Sequence, residues 1–185
     1  MKKAFTSRMM RLSCVLLLLG STACTTPTEL YDFHPRDDVD PRTIKGAESI
    51  FSGRTFVFHN RFHGTQIEYH APNGRSALWY PGNTGTVPAN WKVVPAVHGS
   101  RDHRICYQYP SASYNPVTRS NGGQFECTGF ATFTNDLRQI VSGDPFALAS
   151  GRVPYRLPKG DFYAQDLAQK AQISLNKIKT IYRKD

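Results

Sequence analysis

The chain contains no hydrophobic run long enough to remain in a bilayer. Its longest apolar stretch, residues 12–19, falls well short of the roughly 20 residues a permanent transmembrane helix requires. Catalytic fingerprints are also missing. There is no Gly-x-Ser-x-Gly elbow, no phosphate-binding loop and no dinucleotide-binding glycine pattern, so the common hydrolase, nucleotidase and dehydrogenase signatures are excluded. Cys-x-x-Cys is absent and no histidine stands at zinc-site spacing from a cysteine, which argues against a zinc site. Acidic residues are few, 14 against 23 basic ones. That surplus is moderate and dispersed, and no recognition helix, arginine cluster or RNA-binding strand accompanies it, so nucleic acid is not the expected partner. No internal repeat occurs.

The N-terminal residues carry the clearest signal. Lys2, Lys3, Arg8 and Arg11 precede the short apolar core, and Ser21, Thr22 and Ala23 lead to Cys24. This order of basic, apolar and small residues is that of a bacterial export signal over residues 1–23. Two fates are open. Small residues directly before Cys24 resemble a lipobox, which would make Cys24 the lipid attachment site and the membrane the first partner. Ser21 departs from the leucine usual there, and the same residues fit ordinary cleavage after Ala23, which would release a periplasmic or secreted protein. Each buried acyl CH₂ contributes about 0.8 kcal/mol, so several chains hold firmly. Residues 24–45 hold three prolines and the acids Asp37, Asp38 and Asp40 without apolar periodicity. They read as a tether that cannot bury enough surface to offset its ordering entropy.

The net charge is +9 over the whole chain, and the four leader cations leave +5 on the rest. This favours anionic surfaces such as headgroups or acidic polysaccharide. Cys106 and Cys127 remain in the domain. In an oxidising compartment the simplest expectation is a disulfide worth about 3 kcal/mol.

Residues 46–160 read as a β domain. Arg54–Asn60 is aromatic and β-branched, and Thr65–His70 alternates, with Thr65, Ile67 and Tyr69 on one side and Gln66, Glu68 and His70 on the other. Period two marks a half-buried strand with one solvated face. Pro72-Asn73-Gly74 is a turn. Further strands are expected around residues 76–80, 91–94, 103–109 and 125–133, with a long ordered loop over 110–123. Such a meander is mainly β, closing as a small antiparallel β-barrel or a sandwich. In residues 161–185 the period changes. Leu167, Ala171, Leu175, Ile178 and Tyr182 recur at helical steps, with Asp161 a plausible N-cap. This predicts a C-terminal amphipathic helix, packed on the sheet or turned to a membrane or partner.

Candidate chemistry is sparse. His59 and His63 have helical metal spacing but fall on a strand and a turn; only cross-strand pairing with Glu68 or His70 could build a mixed site, and no metal or other cofactor is expected. A glycosidase would need two carboxylates about 5–10 Å apart, for which Glu68, Glu126 and Asp102 are the candidates. His103 beside Asp102 is adjacent in sequence only. Aromatic faces stack on sugars and lipids, and Trp79, Tyr80, Tyr107 and Tyr114 are the candidate binding residues.

Leu78 to Asn83, Trp91, Ile105 to Tyr107, Tyr114 to Thr118, Gly122 to Cys127 and Gly143 to Phe146 resemble an uncharacterised proteobacterial family of exported small domains. The likeness spans about residues 50–158, with Phe125 where a tryptophan would be expected. It implies one exported domain and carries no catalytic residue. The expected function is an envelope lipoprotein or periplasmic binding or accessory module, whose ligand is a saccharide, a lipid or an envelope protein. The alternative is a hydrolase of cell-wall or extracellular polysaccharide.

Overall fold

The structure is a computed structural model that describes residues 43–97 and 103–180. Cys24, the expected export signal, most of the expected tether and Asp102 lie outside the described residues. Helix α1 (Ile44–Phe51) starts where Thr43 Oγ1 accepts from the Gly46 amide at 3.0 Å, so residues 44 and 45 belong to a helix and not to a tether. Its Ala47, Ile50 and Phe51 are buried.

Strands β1 (Arg54–Asn60) and β2 (Gly64–His70) form a hairpin whose turn is held by Asn60 Oδ1, which accepts from the Phe62 and His63 amides at 3.0 and 2.9 Å. Gly64 closes it with φ +77°, and a Cβ there would meet the Gly160 backbone at 3.1 Å. The turn to β3 (Arg75–Trp79) is built by Asn73 and Gly74 as the dipeptide suggests, Gly74 having φ +77° and so the left-handed backbone that glycine adopts freely. Strands β4 (Val87–Val94) and β5 (Arg104–Gln108) continue the meander. The following loop contains a two-residue hairpin, β6 (Tyr114–Asn115) with β7 (Ser120–Asn121). After β8 (Glu126–Gly129) come the short helix α2 (Phe130–Phe133) and β9 (Leu137–Ser142). Helix α3 (Ala164–Ala171) and β10 (Ile178–Thr180) end the described chain.

Eight strands form one antiparallel sheet in the order β10-β9-β1-β2-β3-β4-β5-β8. The fold is therefore mainly β, a half-barrel with β10 and β8 at its edges. Curvature follows from Phe51, whose ring lies 5.5 Å from Phe56 on β1 and 6.4 Å from Trp91 on β4. Those strands are three positions apart, about 14 Å in a flat sheet at the usual spacing, so the sheet curls around α1.

Both faces are covered. The inner face packs Phe56, Trp91, Val93, Ile105 and Ile140 against α1 and α2. The outer face packs Val57, Ile67, Trp79 and Val141 against Phe146, Leu148, Leu157 and α3. Gln139, fully buried, pins that layer: its Oε1 accepts from the Ala164 amide and its Nε2 donates to Gln165 and Thr180. The solvated face expected for β2 is thus corrected: His70 is fully buried with its ring 6.0 Å from Phe51 of α1, and Glu68 is largely buried on the same inner face.

The C-terminal helix is present but short. Gln172 takes φ +56° directly after Ala171, and Ile178 pairs with Val141 as an edge strand instead of extending the helical stripe. Tyr182 lies outside the described residues. Asp161 does not cap the helix; the Tyr163 amide donates to Asp166 at 2.9 Å, while Asp161 accepts from Arg138.

Candidate functional site

Cross-strand register brings the inward polar residues together. Phe56 pairs with Glu68 and Arg54 with His70; Glu68 then pairs with Leu78 and His70 with Ser76. Trp91 pairs with Tyr107. All these side chains share the inner face, because alternate residues of a strand do. Glu68 is 4% exposed and His70 0%. Ser76 Oγ donates to Glu68 Oε1 at 2.7 Å and the Tyr109 hydroxyl donates to the same oxygen at 3.0 Å. The Tyr107 hydroxyl shares a hydrogen bond with His70 Nε2 at 3.0 Å. His70 is walled by Phe56 and Trp91, 4.7 and 5.3 Å away between ring centres, and its Nδ1 is buried without a hydrogen-bond partner.

Glu68 Oε2 makes no hydrogen bond among the described residues; its nearest basic atom is His70 Nε2 at 3.9 Å. Burying a carboxylate is costly, and the Ser76 and Tyr109 hydroxyls offset that cost at Oε1. The effect reaches the phenols. Burial first, then the charge of Glu68, holds Tyr107 and Tyr109 well above the ordinary tyrosine pKa.

Glu68 is the floor of a cup of about 250 Å³ in the inner face, whose wall includes Gln66, Tyr107, Tyr109, Phe133, His63 and Asp136. The Gln66 amide has no hydrogen-bond partner among the described residues. Asp136, on the rim, accepts from Asn60 Nδ2 at 2.8 Å. Beside the cup runs a larger groove of about 580 Å³ between Phe62, Tyr80, Pro81, Val117, Arg156 and Lys159. His63 lines both cavities. Its Nδ1 lies 2.8 Å from the Tyr80 hydroxyl. Burial pulls the imidazole below its usual pKa, opposed by Asp136 and reinforced by Lys159.

No family model matches the chain, and no curated protein or solved structure matches it either. The geometry alone therefore carries the functional reading.

Of the four aromatic candidates, Trp79 is fully buried on the outer face, its Nε1 donating to the Tyr155 carbonyl at 3.2 Å; it fills the core and offers nothing to a ligand. Tyr80 lines the groove and Tyr107 the cup. Tyr114, 59% exposed on β6, lines neither cavity. Of the acids, Glu68 is in the cup, whereas Glu126 is exposed on edge strand β8. His59 does not join Glu68 and His70: it pairs with Thr65 and points to the outer face, 3.6 Å from Asp161. Among the described residues no group of three or more His, Cys, Asp or Glu could hold a metal ion. Cys106 and Cys127 form the expected disulfide, tying β8 to β5 at directly paired positions. The residues missed from sequence are Gln66, Ser76, Tyr109 and Asp136. Only the period-two pattern of β2 signalled Gln66; Ser76 comes from the neighbouring strand β3, Tyr109 from the end of β5, three strand positions from β2, and Asp136 from the turn after α2.

Proposed function

We propose that this chain is an exported binding module whose inner-face cup holds one unit of a saccharide. The observation that carries this reading is Glu68 Oε2: an accessible oxygen of a largely buried side chain, without a hydrogen-bond donor among the described residues, in a cavity that also presents two phenols and a primary amide. A sugar offers hydroxyl donors for the carboxylate and acceptors for Gln66 and Tyr107, and ring C–H faces for the aromatic wall. The export signal supports an address outside the cytoplasm, with lipid on Cys24 or plain cleavage after Ala23 as its two forms, and the likeness to exported domains agrees with it. Intact mass of protein from the host membrane fraction tests the anchor: the lipid form predicts a chain starting at Cys24 with an acyl-sized increase.

Binding is tested by calorimetric titration of soluble envelope glycan fragments and glucosamine into the protein and its Glu68→Gln variant. The reading predicts binding that weakens tenfold or more in the variant while its melting temperature is kept. Equal binding by both proteins would refute it. The hydrolase reading has one observation in its favour, that Glu68 and Asp136 line the same cavity. It would replace the binding reading if the same fragments gained reducing ends, and if that release vanished in Glu68→Gln.

A further inference from the structure

The two cavities differ in charge. The ionisable residues of the cup wall, apart from His63, are Glu68, Asp136 and the two phenols, with no lysine or arginine. Those of the groove, apart from His63, are Arg156, Lys159 and Tyr80, with no carboxylate. Arg156 is held in place by its Nε, which donates to the Gly82 carbonyl at 2.7 Å. His63 stands between them, tied to Tyr80, so the two electrostatic fields meet at one imidazole. The cup alone, at about 250 Å³, is below the roughly 300–1,000 Å³ of ordinary small-molecule sites, and the cup with the groove falls within it. The groove also has the apolar side chains that a second ring needs, Phe62 and Val117 both lining it and both exposed.

We infer that cup and groove are the two halves of one site for a dipolar saccharide, with a free-amine hexosamine against Glu68 and an adjoining carboxylate-bearing unit against Arg156 and Lys159. This rests on the cup being a saccharide site and adds the charge pattern of its ligand. An ammonium supplies the lysine- or arginine-type cation that Glu68 lacks among the described residues, and strong charge-assisted hydrogen bonds form where both partners are ionised. The carboxylate meets Arg156 and Lys159, the lysine and arginine side chains that line the groove among the described residues, in an exposed setting where salt screens the attraction.

The test uses three disaccharides titrated into the full protein: glucosamine–glucuronic acid with a free amine, its N-acetylated form, and its form with the carboxyl group reduced to an alcohol. N-acetylation is expected to weaken binding at least tenfold, and carboxyl reduction about threefold. Glu68→Gln should abolish the first difference alone and Lys159→Gln the second alone. Equal affinity for all three compounds, or an amine preference that survives Glu68→Gln, overturns the inference. If glucosamine binds but neither the carboxylate nor Lys159→Gln changes affinity, the two-part site is wrong while the cup reading stands. If neither glucosamine nor any disaccharide binds at millimolar concentration, the cup reading fails as well.

Discussion

Reduction of the Cys106–Cys127 bond gives a stability change whose size and location both follow from the fold. The cysteines are 21 residues apart, and in the chain-entropy model closing such a loop removes about 3 kcal/mol of unfolded-state freedom. For a domain of this size each kcal/mol moves the melting temperature by about 3 °C, so reduction should lower it by about 10 °C. Cys127 is exposed on edge strand β8, where a reductant can reach it, and the thiols left behind create no cavity. Circular dichroism melts with and without a phosphine reductant measure the shift. Hydrogen exchange then locates it. Among the described residues β8 has one strand neighbour, β5, so amides of β8 and of residues 110–125 should exchange faster while the β1–β2 hairpin stays protected. A drop below about 3 °C, or exchange that accelerates evenly over the sheet, would refute the assignment of β8 as an edge held mainly by this bond.

Three further outcomes follow from the same core and cup. Phe51→Ala should cost about 3–5 kcal/mol in denaturant unfolding, because its ring packs on Phe56, Phe130 and Phe133 within 5.5 Å; a loss under 1 kcal/mol would show that α1 does not seal the inner face. Tyr109→Phe removes one of the two donors to Glu68 and should cost about 1.5–3 kcal/mol, the range for hydrogen bonds to charged groups; no change would mean the bond is absent. Tyr107 and Tyr109 have raised pKa values in the folded protein, so their stabilising effect is complete below the unfolded value of about 10 and is lost as pH rises above it. Phenolate absorbance should show both ionising after the other tyrosines, together with unfolding, and their ionisation near the ordinary value in the native protein would contradict this.

The local layers of this structure were legible because they are written in short-range chemistry. Asn73-Gly74 marks its turn, the alternation of residues 65–70 assigns Glu68 and His70 to one face, and the two cysteines of one domain specify a bond. The errors arose where distant segments decide the environment. Polar residues on β2 read as a solvated face, yet Phe51, beside a stretch that reads as tether, folds back against His70. Trp79 read as a ligand platform because nothing local reveals that residues 146–168 cover the outer face. Leu175 and Ile178 keep helical spacing, but the sheet offers Ile178 a partner in Val141, and pairing wins over continuation. Glu68 was one of three candidate acids; only the pairing of β2 through β5 shows that Tyr109 and Ser76 converge on it.

The most direct test of the central claim is an amide-resolved NMR titration of the isotope-labelled protein with glucosamine. The account predicts that the amides of Gln66, Glu68, Tyr107 and Tyr109 shift together with one saturating curve, and that this curve is lost in Glu68→Gln. Shifts confined to other residues, or none at millimolar glucosamine, would contradict it.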